Sequence, residues 1–236
     1  MIVYLLRHGE TNWNIEQRMQ GCTDIPLNDT GRRQAEISAE GLSKIPFSLC
    51  ITSHLSRAYE TAGLILQNHP DFLKNRAVFL ARCGCRERYE ATAKPFGVPI
   101  LIDRRLREVE LGEWEGKIGS GPNQEIPGEG FKAYWKDLDG ENLPKSVECA
   151  NKAADRAHEF ITDIFSRPEL QNETILMVSH GGFISRLLWD LNGRTEIEGR
   201  KVPMNLEAVR LECDEDGKPV FRGMEMFCPP GLLEDY

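Results

Sequence analysis

The sequence predicts an α/β fold built on a largely parallel sheet, and three repeats of one pattern lead to this prediction. Short apolar runs at Met1 to Leu6, Phe47 to Thr52 and Thr174 to Val178 are typical of buried strands. Each run ends in polar residues, and helical patterns lie between the runs. Because ligands bind at the carboxyl ends of such strands, we expect the three polar ends to converge on one site.

Helices are predicted from capping residues and from apolar spacing. Asn28 is a suitable N-cap for a helix that begins at Asp29. The clearest pattern runs from about Ser146 to Phe165, where apolar residues recur in alternating steps of three and four. A turn-forming Asp-Glu-Asp-Gly sequence joins two further strands near the end of the chain. The predicted helices are 29–43, 56–68, 146–165 and 183–191, and the two late strands are 206–213 and 220–226.

Two segments do not fit this alternation and are interpreted as insertions over one core. Residues 71–97 carry six basic residues against three acidic ones, and residues 115–145 are rich in glycine, proline and charge. Neither has the composition of an interdomain linker, so we expect a single domain over residues 1–236. The basic segment either covers a pocket and selects an anionic substrate or is an exposed helix. The second interpretation is preferred, because long basic side chains are usually solvated.

The composition excludes several functional classes. The chain has 236 residues and a net charge of −8, whereas general nucleic-acid or membrane-surface binders usually carry a basic excess. No stretch of the sequence reaches the roughly 18 apolar residues that a membrane helix needs. Seven cysteines, an odd number in a long chain, favour free thiols over a disulfide framework. We therefore expect a cytoplasmic protein whose partner is neither a nucleic acid nor a membrane.

The first candidate site follows the first strand, in the sequence Arg7-His8-Gly9-Glu10-Thr11. Arginine offers a rigid fork of donors that suits phosphate, and a neutral histidine is a usable nucleophile near neutral pH. Glycine lets the backbone approach a ligand closely. Taken alone, a histidine that ends a strand more often has a capping or packing role.

Two further candidates lie near predicted helix N-termini. Arg57 lies near a helix N-terminus, where the helix dipole favours a negative charge and not a positive one. An anion bound beside Arg57 would offset this preference, although a solvated surface arginine also fits. His180 lies in Ser179-His180-Gly181-Gly182. Free backbone N–H groups beside an imidazole would form an anion site there, while a tight turn would explain the glycines as well.

A fourth cluster, residues 106–116, contains four glutamates. A carboxyl group near apolar or anionic neighbours has a raised pKa and can act as a general acid. Composition alone does not choose among these glutamates, and a charged surface loop would have the same composition.

The order and spacing of these clusters resemble the histidine phosphatase superfamily, the phosphoglycerate-mutase-like proteins. The resemblance begins with Leu6-Arg7-His8-Gly9-Glu10-Thr11 and Asn14, and it ends with Val178-Ser179-His180-Gly181-Gly182. Between these lie Gln20-Gly21, Asp24, Pro26-Leu27, Gly31, Gln34-Ala35, Arg57-Ala58, Thr61-Ala62, Leu106-Arg107-Glu108, Gly112 and Trp114-Glu115-Gly116. The resemblance spans most of the chain and implies a three-layer α/β/α sandwich with a mostly parallel central sheet.

The resemblance also implies a role for each motif residue. His8 would be the nucleophile that forms a phosphohistidine, and Glu108 would protonate the leaving oxygen and then deprotonate the attacking water. Glu108 is preferred to Glu110 because it lies four residues before Gly112, as the acid of the family does. No metal or other cofactor is implied. The residues implied to bind the phosphoryl group or the substrate are Arg7, Asn14, Gln20, Gly21, Arg57, His180 and Gly181.

Two departures from the family pattern limit what the resemblance implies. The stretch Pro144-Lys145-Ser146-Val147-Glu148 lacks the Gly-Glu pair that family phosphatases commonly show at the start of the long helix. This difference predicts altered contacts at one edge of the site. The loop after Gly116 is individual to this chain, so the substrate specificity does not carry over.

The sequence favours a phosphatase acting on a small-molecule phosphate monoester over a phosphoglycerate mutase. Mutases of this family typically carry a longer run after the acid, with basic residues that bind a carboxylate. Here Glu108 is followed by a run rich in glutamate, which would repel a carboxylate. A non-catalytic phosphate-binding domain is the third alternative, disfavoured because all five central residues are present: Arg7, His8, Arg57, Glu108 and His180. The physiological substrate and the oligomeric state stay open.

Overall fold

A seven-stranded sheet runs through the described part of the chain, which in this computed structural model comprises residues 1–67, 90–92, 100–129, 131–195 and 202–228. The strands are β1 (Ile2–Arg7), β2 (Leu49–Thr52), β3 (Glu90–Thr92), β4 (Ile100–Ile102), β5 (Thr174–Ser179), β6 (Glu207–Cys213) and β7 (Pro219–Met226). Their order across the sheet is β3-β4-β2-β5-β1-β6-β7. The four central strands β4, β2, β5 and β1 are parallel, while β3, β6 and β7 pair antiparallel at the two edges.

Helices cover both faces of this sheet. The α-helices of the described residues are α1 (Asn12–Ile15), α2 (Asp29–Leu42), α3 (Ser56–Leu66), α4 (Lys132–Lys136), α5 (Ala150–Phe165) and α6 (Gly181–Leu191), and those that pack on the sheet are α2, α3, α5 and α6. Side chains alternate along β1, so that Val3 and Leu5 share a core with α5 and α6, whereas Leu6 shares a core with α2 and α3. The predicted three-layer α/β/α sandwich is therefore confirmed.

The variable segment 115–145 shares a smaller apolar core with the residues on either side of it, beside the main layers. Trp114, Tyr134 and Leu143 are buried there, and Ala153 of α5 belongs to the same cluster. Helix α4 lies within this segment, where the sequence pattern predicted no helix. The segment is thus packed onto the start of α5, which positions it beside the carboxyl ends of the strands.

Several element boundaries differ from those predicted. The long helix α5 begins at Ala150 and not at Ser146, because the Glu148 N–H donates to the carbonyl of Glu110 at 2.8 Å and Cys149 is extended. Helix α6 begins at Gly181, immediately after β5, two residues before the first predicted residue. Strand β4 was not predicted. Strand β3 falls inside the predicted insertion 71–97. The other residues of this insertion lie outside the described residues, so the interpretation of its basic charge stays a prediction.

Within the described ranges, no helix combines the length and the apolar character that crossing a membrane requires. The five described cysteines, at 22, 50, 149, 213 and 228, are free thiols.

Replacing Phe160 by alanine tests the packing between α5 and α6. Phe160 is 0% exposed and its ring lies 6.2 Å from the ring of Phe183. We expect Phe160→Ala to lower the free energy of unfolding by about 3–5 kcal/mol, as measured by urea denaturation. The control is Phe221→Ala, since the Phe221 ring on β7 is 43% exposed and its loss should cost less than about 1 kcal/mol. Equal losses in the two variants would contradict the assignment of this core.

Candidate active site

The parallel pairing of β1 with β5 brings the first polar residues of the site together. Arg7 lies opposite Ser179 in this pairing, and the His8 N–H donates to the Ser179 carbonyl at 3.0 Å. The imidazole rings of His8 and His180 therefore lie close, with their centroids 5.1 Å apart. Arg57 comes from the first turn of α3, and its Nε donates to Nδ1 of His180 at 3.3 Å.

These residues surround a pocket of about 150 Å³. Eight of the nine residues that the sequence singled out line it: Arg7, His8, Asn14, Gln20, Gly21, Arg57, Glu108 and Gly181. The ninth, His180, is fully buried and packs against His8 and Arg57. Glu110, the alternative acid, is exposed and does not line the pocket.

His8 is held in a single tautomer by its own neighbour. Its Nδ1 lies 2.6 Å from the carbonyl oxygen of Gly9. Because a carbonyl can only accept, Nδ1 carries the proton and the lone pair of the neutral ring lies on Nε2. Burial, followed by the charges of Arg57 and Arg7, lowers the pKa of His8 well below its usual 6.5, so the ring is neutral near pH 7.

His180 is held in the opposite tautomer. Arginine can only donate, so the contact from Arg57 makes Nδ1 of His180 the acceptor and leaves the proton on Nε2. Burial is the main reason that the pKa of His180 lies well below its usual value, and Arg57 and His8 lower it further. The Nε2 atom is buried and has no hydrogen-bond partner among the described residues. It is therefore a donor that a bound group could use.

The remaining N–H groups of Arg57 hold the loop that forms the pocket rim. They donate to the carbonyls of Gly21 and Thr23, both at 2.8 Å. Glu115 binds the same loop from outside, since its carboxylate accepts from the Cys22 and Thr23 N–H groups at 2.9 Å. Gly21 has a φ of +53°, and a Cβ there would lie 2.2 Å from Glu115 Oε1, so this position requires glycine.

Arg7 is fixed by a segment that the sequence patterns did not single out. Its Nη1 donates to the Pro203 carbonyl at 2.6 Å, and Asn205 Nδ2 donates to the His8 carbonyl at 2.7 Å. The next residue, Leu206, has a φ of 58°, a left-handed conformation that is unfavourable for a bulky side chain. This strained segment supports both Arg7 and His8. No motif marks it, because its contacts join positions almost two hundred residues apart in the chain.

Glu108 occupies the N-terminus of α6. Its carboxylate accepts from the Gly182 N–H at 3.0 Å, from the Phe183 N–H at 2.9 Å and from its own neighbour Val109 at 2.8 Å. The sequence pattern predicted that backbone N–H groups here would serve a bound anion. The structure instead uses two of them to hold a side-chain carboxylate at the pocket wall. Gly182 is required for this approach, since a Cβ would lie 2.5 Å from Glu108 Oε1.

Asn14 and Gln20 line the pocket from the opposite side. Asn14 belongs to the capping box of α1, where its Oδ1 accepts from the Thr11 N–H at 3.1 Å. This contact orients the amide group of Asn14. The side-chain oxygen of Gln20 is buried, and no described residue donates to it.

Comparison with known proteins agrees with this geometry. A family model of the histidine phosphatase superfamily (branch 1) matches residues 3–77 and 80–224. The chain belongs to the histidine phosphatase superfamily.

Individual relatives include phosphatases and mutase-like proteins. The chain is 34% identical over 186 residues to phosphoglycerate mutase-like protein 4 of Arabidopsis thaliana, covering 78% of this chain and 68% of that protein. It is 32% identical over 194 residues to a glucosyl-3-phosphoglycerate phosphatase of Mycolicibacterium vanbaalenii, covering 80% and 73%. The solved structure of a mycobacterial glucosyl-3-phosphoglycerate phosphatase matches with a TM-score of 0.67 at 25% identity, covering 96% of this chain and 98% of that one. Other relatives are named as phosphoglycerate mutases.

Glu148 lies where this member of the histidine phosphatase superfamily departs from the usual family pattern. Its carboxylate pairs with Arg107 at 2.9 Å and Arg156 at 2.8 Å, and it accepts from the Glu110 N–H at 3.1 Å. Arg156 also donates to the carbonyls of Arg105 and Arg107. This network clamps the segment on either side of Glu108. Burial alone would raise the pKa of Glu148, but hydrogen bonds and charge from the two arginines outweigh burial and lower it.

The tautomers assigned to His8 and His180 can be tested directly. In ¹⁵N-histidine spectra recorded near neutral pH, we expect one neutral ring protonated at Nδ1 and lost in His8→Gln. A second neutral ring, protonated at Nε2, should be lost in His180→Gln. The pKa values of both are lowered, so neither ring should gain a second proton on acidification to about pH 6.5. An imidazolium signal from either residue at that pH would contradict the assignment.

Replacing Glu148 by glutamine tests the clamp. Glu148→Gln leaves two arginines without their carboxylate, and we expect the free energy of unfolding at neutral pH to fall by about 3 kcal/mol. A carboxyl group with a lowered folded-state pKa stabilises the fold above its unfolded pKa, and this contribution is lost as pH falls through the folded value. The difference from wild type should therefore shrink below about pH 4. Urea denaturation of wild type and Glu148→Gln at neutral pH and below about pH 4 measures this difference in the free energy of unfolding. The control is Glu141→Gln, because Glu141 is exposed. A difference that does not depend on pH would contradict the clamp.

Proposed function

We propose that this protein hydrolyses a small-molecule phosphate monoester through a phosphohistidine formed on His8. The observation that carries the proposal is the bond between His8 Nδ1 and the Gly9 carbonyl at 2.6 Å. It leaves the lone pair on Nε2 of a neutral ring that lines the pocket. A neutral imidazole is a competent nucleophile, and a covalent intermediate divides hydrolysis into two easier steps.

In this proposal the phosphoryl group is bound by charge and by fixed donors. Arg57, which is buried, and Arg7, which is partly buried, supply two positive charges, and His180 supplies its Nε2 proton. Asn14, Gln20, Gly21 and Gly181 add contacts around the pocket. Phosphoryl transfer needs neutralisation of the phosphoryl oxygens and positioning in line, and these groups can supply both from the side chains themselves.

The two steps share one acid–base residue. Nε2 of His8 attacks phosphorus, the bond to the alcohol oxygen breaks, and the Glu108 carboxyl group donates a proton to that oxygen. The Glu108 carboxylate then takes a proton from a water molecule, whose oxygen attacks phosphorus as the bond to Nε2 breaks. Phosphate leaves, and His8 and Glu108 return to their starting protonation states. The contacts of Glu108 with α6 support this role because they hold the carboxylate at the pocket wall.

The proposal predicts that His8→Ala abolishes hydrolysis of an aryl phosphate. We expect a loss of at least about a thousandfold in kcat at mildly acidic pH without added metal, because nucleophilic catalysis is removed. His158→Ala is the matched control, since His158 is exposed on α5 and pairs with Asp190, and it should retain wild-type activity. Quenching without acid should trap phosphate on the wild-type protein and on His158→Ala but not on His8→Ala. Undiminished turnover by His8→Ala would overturn the mechanism.

A phosphoglycerate mutase is the second candidate, because relatives with that name match the chain. The two activities differ in the fate of the phosphohistidine. A phosphatase passes the phosphoryl group to water, whereas a mutase returns it to a second hydroxyl group. Exchange of phosphate between phosphoglycerates with little release of inorganic phosphate would favour the mutase, and release of stoichiometric phosphate would favour the phosphatase.

A further inference from the structure

The pocket has a second half that phosphoryl binding does not use. Phe131, Tyr134 and Trp135, here called the aromatic wall, line the same pocket as His8. The rings of Phe131 and Tyr134 are stacked, with centroids 5.2 Å apart and planes 6° apart. The Trp135 ring lies edge-on to both, at 5.8 Å from Phe131 and 5.6 Å from Tyr134. The wall is therefore a continuous aromatic surface beside the candidate nucleophile.

The residues between the wall and the phosphoryl site are also apolar. Val109 and Leu111 line the pocket directly after Glu108, and Met19 lines it from the opposite side. All three belong to the same apolar cluster as the wall. A leaving alcohol protonated by Glu108 would thus have apolar side chains within its reach.

Charged groups on this side are engaged with the protein. In the described part of the lining, Arg18 is the one cation besides Arg7 and Arg57. Its Nε donates to Glu16 at 2.7 Å and its Nη1 donates to the Gly116 carbonyl. A second anionic group on the substrate would compete with these contacts, whereas an apolar group would not disturb them.

The aromatic wall is preformed because a buried arginine supports it from behind. Arg186 of α6 is 0% exposed, and its guanidinium carbon lies 4.0 Å from the Trp135 ring centroid and 4.7 Å from that of Tyr134. Cation–π contacts strengthen when they are removed from water. Helix α6 also begins with the glycines beside Glu108 and the phosphoryl site. One helix thus fixes the distance between the two halves of the pocket.

We propose that the pocket selects phosphate monoesters whose alcohol carries a flat, uncharged apolar group, and that this group packs on the aromatic wall. Phe131 and Trp135 are the specificity-determining residues, because both are partly exposed whereas Tyr134 is 2% exposed and supports them. This inference rests on the proposed phosphatase activity and deepens it by naming the substrate class.

Three esters of primary alcohols test the inference, since their leaving oxygens are alike: 2-phenylethyl phosphate, ethyl phosphate and 3-phosphoglycerate. Burial of a phenyl ring predicts that kcat/KM for the phenylethyl ester exceeds that for the ethyl ester by about tenfold or more. In Phe131→Ala and Trp135→Ala this ratio should fall at least about threefold. Because the ratio is taken within one variant, a partial loss of folded protein cancels. Phe221→Ala is the surface control and should keep the wild-type ratio.

Two results would overturn the role of the aromatic wall. A preference for 3-phosphoglycerate over the phenylethyl ester, or a ratio that both alanine variants preserve, would overturn the inference while leaving the phosphatase proposal intact. Hydrolysis of none of the esters would instead contradict the phosphatase proposal. In that case, calorimetric binding of 2-phenylethylphosphonate against ethylphosphonate still decides the role of the aromatic wall. Equal affinities of the two phosphonates would overturn it, and tighter binding of the phenylethyl compound that is lost in Trp135→Ala would support it.

Discussion

The hydrogen bond from Arg57 to His180 determines how protons are distributed over the whole site. Arginine does not lose its proton in proteins, so the imidazole nitrogen that faces it must accept. His8 meets the reverse constraint, because the Gly9 carbonyl can only accept and so requires a proton on Nδ1. The two rings, 5.1 Å apart, therefore hold opposite tautomers. One has a lone pair on Nε2 and the other a proton, which are the two functions that a nucleophile and a phosphoryl-binding donor require.

The partners of the pocket arginines explain why their charge is available to a ligand. The hydrogen bonds that Arg7 and Arg57 donate go to backbone carbonyls and to a neutral imidazole. Carbonyls satisfy the N–H donors without cancelling the positive charge. Arg107 and Arg156 differ, because both pair with the carboxylate of Glu148. Glu108 offsets the charge of the first pair through space, without a direct ion pair among the described residues, while the second pair has a structural role. A bound phosphoryl group would supply the missing negative charge.

The sequence predicts the parts of the fold and the site that local patterns encode. The strand ends at Arg7 and Ser179, the cap at Asn28 and the helix around Arg57 follow from apolar runs and capping residues, and the structure has them. The short helix α4 escaped prediction because its residues are held by a small tertiary core and not by an amphipathic repeat. The role of Asn205 was not predicted because its contact with His8 joins segments that are far apart in the sequence. The late start of α5 has the same origin, since the Glu110 carbonyl engages the N–H of Glu148.

The structure also changes what the acidic residues near the pocket mean. From sequence, the glutamates after Glu108 were expected to repel a carboxylate substrate and so to favour a phosphatase. However, Glu115 is occupied by the N–H groups of the pocket-rim loop, and Glu110 and Glu113 are not among the described residues that line the pocket. Glu108 itself lies at the positive end of α6, where N–H groups and the helix dipole offset its charge. The net charge of −8 therefore says little about the pocket. In the proposal made above, the aromatic wall, and not acidic charge, disfavours the carboxylate of a phosphoglycerate.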